Sequence, residues 1–110
     1  MKKNYLDKIP VHSPKIAHKT DNNGAVTLQI DNSGIINKTA QKLFGKAKTS
    51  YVYLDETGSF VWLNIDGKRS IYDIAVMLDE KFGKSSHPLY ERITDFFIIL
   101  EKNGFVLWIK

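Results

Sequence analysis

The sequence contains no cysteine. This absence excludes disulfides, thiolate nucleophiles and zinc sites built on sulfur, and it is typical of proteins from a reducing compartment. A glycine-rich phosphate loop is also missing, because the seven glycines are dispersed at positions that suit turns and helix ends. The histidines, His12, His18 and His87, are too widely spaced for a local metal motif. We therefore expect no catalytic residue, no metal site and no cofactor.

Long hydrophobic segments are missing too. Apolar runs reach five residues, as at residues 96–100, against the roughly 20 that a membrane-spanning helix needs. The basic start of the chain is not followed by the apolar core of a secretory signal, since Asn4, Asp7 and Pro10 interrupt it. We expect a soluble, cytoplasmic protein without a membrane partner.

Positive charge is concentrated in the first half of the chain. The net charge is +4, and residues 1–54 hold nine lysines against three aspartates, whereas residues 55–110 have a net charge of −2. A basic surface can indicate nucleic-acid binding. The helix that would enter a DNA groove, at residues 88–103, nevertheless has a net charge of −1. We expect no nucleic-acid partner, although the basic half could contact an acidic peptide.

The length of 110 residues and the 43% hydrophobic content indicate one small domain with a single core. Residues 1–24 include Pro10 and Pro14 and show no sustained periodicity, so we interpret them as an extended N-terminal arm. A folded domain at residues 25–110 then follows.

Alternating apolar and polar residues predict a sheet of about three short strands. The first strand covers residues 26–30, and a turn at residues 31–34 predicts a hairpin with residues 35–36. Residues 39–47 suggest a weakly helical or looped insertion. Residues 51–54 combine aromatic and β-branched side chains and predict the third strand.

Three helices are predicted after the sheet. Their start and stop signals are Asp55 and Asp66-Gly67 for the first, Ser70 with Asp73 and Gly83 for the second, and Pro88 and Asn103-Gly104 for the third. Residues 105–109 predict either a closing strand or a tail packed on the core. The fold class is therefore α+β, a small winged-helix-like domain with a three-stranded antiparallel sheet followed by three helices.

Two features of this arrangement suggest binding. Five consecutive apolar residues at 96–100 wrap the whole circumference of the third helix, so the helix is either buried on all sides or exposes a face to a groove or a dimer contact. The strand at residues 51–54 could form a sheet edge that accepts another strand. Packing of its tyrosines against the insertion is the simpler alternative.

Several local motifs occur in an order that is specific in combination. They are Leu54-Asp55-Glu56, Ile65-Asp66-Gly67, Lys68-Arg69-Ser70-Ile71 and Asn103-Gly104-Phe105-Val106. Together with the intervening segments they resemble the PqqD family over residues 26–106. The insertion at residues 39–48 and the N-terminal arm depart from the family pattern, so the peptide pathway need not be that of pyrroloquinoline quinone.

The resemblance implies a noncatalytic peptide chaperone that recognises ribosomally synthesised, post-translationally modified peptides. Family members bind the leader of a precursor peptide as an added strand, between the third strand and the third helix, and present it to a modifying enzyme, commonly a radical S-adenosylmethionine protein. Carried over by position, the peptide-binding residues are Ser50, Tyr51, Val52, Tyr53, Leu54, Arg92, Ile93, Phe96, Phe97 and Leu100. Arg92 is expected to meet an acidic leader residue.

A second class of function stays open at this point. The same elements describe a structural or regulatory winged-helix module, either a homodimer through the edge strand or, with less support, a DNA-binding protein.

Overall fold

The computed structural model describes residues 4–31 and 49–109. The strands are β1 (Ile9–His12), β2 (Ile16–Thr20), β3 (Val26–Asp31), β4 (Thr49–Tyr53) and β5 (Val106–Ile109). The helices are α1 (Glu56–Leu63), α2 (Ile71–Phe82) and α3 (Leu89–Lys102), with short 3-10 helices at Tyr5–Asp7 and Gly83–Ser86. The predicted α+β class is confirmed.

A three-stranded antiparallel sheet has the order β2-β3-β4. The central strand buries Val26, Leu28 and Ile30 against the helices, as its alternation predicts. The central strand pairs with β2 on one side and β4 on the other. Residues 35–36 of the predicted hairpin and the predicted insertion at residues 39–47 lie outside the described residues. The strand that completes this sheet is therefore β2.

The segment interpreted as an extended arm contains two paired strands. β2 pairs with β3, and β1 pairs antiparallel with the closing strand β5. Both strands are short, β1 contains Pro10 and β2 begins two residues after Pro14. β1 also pairs with the opposite end of the chain, so no local periodicity reveals either strand. The division into an arm and a domain that begins at residue 25 stays a prediction.

The helix start signals predicted from the sequence are confirmed. Asp55 caps α1 by accepting a hydrogen bond from the Gly58 backbone N–H at 2.7 Å. Ser70 and Asp73 form a reciprocal capping box at the start of α2, with both hydrogen bonds 3.0 Å long. α3 begins directly after Pro88.

The end of α1 differs from the prediction. The helix stops at Leu63, before the predicted Asp66-Gly67 signal, because Asn64 caps it. The Asn64 side-chain amide donates to the Phe60 carbonyl at 2.8 Å. Asp66 instead organises the connection to α2, since its carboxylate accepts from the backbone N–H groups of Lys68 and Arg69.

One core lies between the three-stranded sheet and the helices. Its largest fully buried side chains include Trp62 of α1, Leu28 of β3 and Phe97 of α3. Among the described helices, none is long and apolar enough to cross a membrane.

Candidate functional site

The backbone register of β4 determines which of its residues face the outer edge of the sheet. The Leu54 N–H donates to the Val26 carbonyl at 2.9 Å, and the ladder continues with Val52 opposite Leu28. In an antiparallel pair, every second residue directs its N–H and C=O towards the partner strand. Leu54, Val52 and Ser50 therefore pair towards β3. The backbone groups of Thr49, Tyr51 and Tyr53 point to the opposite edge.

Within residues 4–31 and 49–109, no strand pairs with that outer edge of β4. The side chains alternate as well, because Val52 packs on the core while Tyr51 and Tyr53 are 52% and 78% exposed. This part of the sheet therefore presents outward backbone donors and acceptors together with two exposed tyrosines. Such an edge can accept an extended peptide as a further strand.

The predicted groove residues of α3 lie on two different sides of the helix. Ile93, Phe97 and Leu100 are at most 2% exposed and belong to the core. Phe96 is half-buried and Arg92 is exposed. The structure thus separates core-facing from solvent-accessible positions, which the sequence could not do. Peptide contact by any of these residues stays a prediction.

A pocket of about 140 Å³ lies just beyond the end of β4, between the start of α1 and the accessible side of α3. Its apolar lining comes from all three helices, through Val61, Leu78, Ile93 and Phe96. Its polar lining consists of Asp55, Thr57, Ser86 and Arg92. An apolar lining with a few polar groups is typical of ligand-binding pockets.

Gly58 allows the start of α1 to approach α3 closely. A Cβ atom at this position would lie 3.0 Å from the Asp55 carboxylate and 3.4 Å from the Phe96 ring. The missing side chain therefore leaves room for both the helix cap and the aromatic wall of the pocket. Glycine costs helical stability at an interior position, so its presence here is explained by this close approach.

Arg92 supplies the positive charge of the pocket. Its guanidinium donates to the Ser85 carbonyl at 2.8 Å. Over the described part of the chain, Asp66 pairs with Arg69 and Asp79 is hydrogen-bonded to His87, and no carboxylate pairs with Arg92. A carboxylate of a bound ligand could pair with it.

Ser59 holds the end of β4 in place beside the pocket. Its buried hydroxyl accepts from the Val26 backbone N–H at 2.9 Å and donates to the Leu54 carbonyl at 3.3 Å. These two bonds join α1 to both β3 and the segment after β4. This buried side chain therefore helps to hold the edge strand against the helices.

The histidines near the N-terminus form a structural contact. His12 stacks on Trp62 with 3.9 Å between the ring centroids. Its Nε2–H donates to the Trp62 carbonyl at 2.8 Å, which joins β1 to the end of α1. Burial lowers the pKa of His12, and the positive charge that His18 can carry acts in the same direction. No group of three or more metal-ligating side chains occurs among the residues described.

Glu101 at the end of α3 also has a structural role. It accepts hydrogen bonds from Trp108 Nε1 at 2.9 Å and from the Tyr5 hydroxyl at 3.2 Å. The Trp108 hydrogen bond contributes most to lowering the pKa of Glu101, while burial and the neighbouring Glu101 raise the pKa of Tyr5 to about 12. This cluster anchors the N-terminal 3-10 helix and β5 to α3.

Sequence reasoning missed most of the pocket. Asp55 was recognised as a helix cap, but its place in a pocket with Gly58 and Leu78 depends on the packing of three helices. The local signal for a close approach was the glycine inside the first helical turn. Nothing local to Leu78 or Ser86 distinguishes them from other core positions.

Comparison with known proteins gives one clear result. A model of the family described as "Coenzyme PQQ synthesis protein D (PqqD)" matches residues 26–106. No curated protein and no solved structure matches significantly. The matched segment includes β3, the edge strand β4, all three helices and the pocket between them. Since the match covers most of the chain, the protein belongs to the PqqD family.

Proposed function

We propose that this protein is a noncatalytic peptide chaperone, which binds the leader of a ribosomally synthesised precursor peptide and presents it to a separate modifying enzyme. Membership in the PqqD family supports a role as a precursor-binding accessory protein in biosynthesis. The observation that carries the finer proposal is the outer edge of β4, where the backbone groups of Tyr51 and Tyr53 point away from β3. The leader pairs with this edge as an additional strand.

The two parts of the site have complementary roles. Backbone pairing along β4 gives affinity that tolerates many leader sequences, whereas the pocket at its end selects particular side chains. A dry apolar cavity of about 150 Å³ can hold a molecule the size of benzene, and the pocket here is of similar volume. It accommodates one apolar leader side chain, packed against Phe96, while Arg92 pairs with an acidic leader residue.

The enzyme partner belongs to the class that modifies precursor peptides, and a radical S-adenosylmethionine protein is the partner we propose. The complex forms in the cytoplasm, where the precursor is synthesised. The product is pyrroloquinoline quinone or another peptide-derived compound.

Amide chemical shifts test where a peptide binds. Isotope-labelled protein is titrated with synthetic peptides that match the leader segments of short precursor genes next to its own gene. Saturable shifts at residues 49–54 and along α3 support the proposal. The matched variants are Phe96→Ala, which should weaken binding, and Tyr90→Ala, which should not. Tyr90 is 46% exposed on the same helix, lies outside the pocket lining and stacks on Tyr72 of α2. A well-folded spectrum without shifts for all such leaders would reject it.

A proline at position 51 tests strand addition itself. The Tyr51 N–H points to the outer edge, so Tyr51→Pro removes a donor for the peptide without removing a hydrogen bond to β3. Tyr51→Ala is the control for loss of the ring. Strand addition predicts weaker binding by Tyr51→Pro than by Tyr51→Ala, with both variants folded. Equal affinities would show that the peptide does not pair at this residue.

A further inference from the structure

The register of β4 also determines how a strand added to it would orient its side chains. Residues directly opposite one another in a sheet place their side chains on the same face. A peptide residue opposite Tyr51 or Tyr53 therefore has its side chain on the tyrosine face. The residue between them lies opposite Val52 and faces the helices. A bound strand thus exposes one set of its side chains to the pocket side and the other set to the tyrosines.

The tyrosine face offers unused apolar surface. Tyr51 lies opposite Gln29 and Tyr53 lies opposite Thr27, and both rings are more than half exposed. Neither ring makes an aromatic contact within the described chain, in contrast to Tyr72 and Tyr90, which stack on each other across α2 and α3. The side chains of an added strand that lie opposite Tyr51 and Tyr53 would cover the two rings on the edge of β4 that faces away from β3.

The chemistry of this face favours apolar partners. Among the described strand positions of this face, the charged residues are Lys19 on β2 and Asp31 at the end of β3, which lies opposite Thr49. An added strand lies about three strand spacings, or roughly 14 Å, from β2 and about two spacings, or roughly 10 Å, from β3. Both distances exceed the Debye length of about 8 Å at physiological ionic strength. Tyrosine in cross-strand pairs packs best with aromatic or β-branched side chains.

We infer that Tyr51 and Tyr53 read a second set of leader side chains, so that the leader is recognised on both faces of its strand. This inference rests on the proposed strand addition. The substrate class is a leader segment with aromatic or β-branched residues at positions n and n+2, opposite the two tyrosines, and an apolar residue at n+1 that faces the helices.

A displayed library of random short peptides, selected on the immobilised protein, tests the inference without knowledge of the natural leader. Binders whose amide shifts map to β4 and α3 are resynthesised with single alanine substitutions. Each is then titrated against Tyr51→Ser, Tyr53→Ser and Phe96→Ala in double-mutant cycles. Tyr72→Ser, which removes a tyrosine of similar exposure on α2, is the control.

We expect peptide positions n and n+2 to couple to the tyrosines by about two- to fivefold in affinity each, and position n+1 to couple to Phe96. Coupling to Phe96 alone, with no effect of either tyrosine substitution on affinity, would contradict recognition of both faces of the peptide strand. The proposed strand addition would still stand. Binders that map elsewhere, or none at all, would instead contradict the proposed function.

Discussion

Phe96 and Phe97 are neighbours in α3, yet the first lines the pocket and the second is fully buried in the core. Because a helix turns by about 100° per residue, consecutive apolar residues point in different directions. The core side, with Ile93 and Leu100, stabilises the domain. The accessible side, with Arg92 and the neighbouring edge of β4, remains available to a ligand. One short apolar run therefore contributes Phe97 to the core and Phe96 to the proposed binding site.

Aspartate substitutions at the two phenylalanines should give the largest difference. Phe97→Asp buries a carboxylate without a partner, which costs several kcal/mol and approaches the whole stability of a small domain. We expect this variant to be unfolded by circular dichroism. Phe96→Asp should remain folded and lose peptide affinity, because its charge can reach solvent. A folded Phe97→Asp variant with an unchanged urea midpoint would contradict the assignment of Phe97 to the core.

Ser59→Ala should have the next largest effect. The variant leaves the Val26 N–H, a buried donor, without its partner, and we expect the free energy of unfolding to fall by about 1–3 kcal/mol. Urea denaturation measures this. Ser85→Ala is the matched control, since Ser85 is exposed and donates only to the Phe82 carbonyl within its own turn. Equal losses from the two variants would show that Ser59 does not link the strands to α1.

Gly58→Ala should separate binding from stability. The added methyl group gains up to about 1 kcal/mol of helix propensity but crowds the Asp55 cap and the Phe96 ring. We therefore expect a change in unfolding free energy below about 1 kcal/mol, together with a clear loss of peptide affinity as the pocket narrows. Calorimetric titration of a selected peptide measures the latter. Unchanged affinity would place the bound side chain outside this pocket.

The features that could be predicted from the sequence are local ones. The caps at Asp55 and Ser70 and the strand at β4 depend on residues within a few positions of each other, and all are confirmed. The pairing of β1 with β5 joins the two ends of the chain, so no local pattern contains it. The same reason explains the missed pocket, whose lining is brought together by three helices. The sequence showed that α3 has too many apolar residues for one face, and only packing shows that Phe96 lines the pocket while Phe97 is buried.

The smallest effect we expect is a pH dependence of stability, which comes from His12 and does not involve the proposed binding site. The pKa of His12 is lowered in the folded protein, so as pH falls below the ordinary value of 6.5 the unfolded chain takes up a proton before the folded one does. The contribution of His12 to stability is therefore complete above about pH 6.5 and is lost progressively below it.

Urea midpoints measured from about pH 7.5 to 5.5 should fall for the wild type and fall less for His12→Gln, which keeps a side-chain N–H donor. His87→Gln, the same substitution at an exposed histidine just before α3, is the control. Peptide affinity at the β4 edge should change little over this range, because His12 contacts the end of α1 and not the pocket. A His12→Gln variant with the wild-type pH dependence would mean that another group controls it.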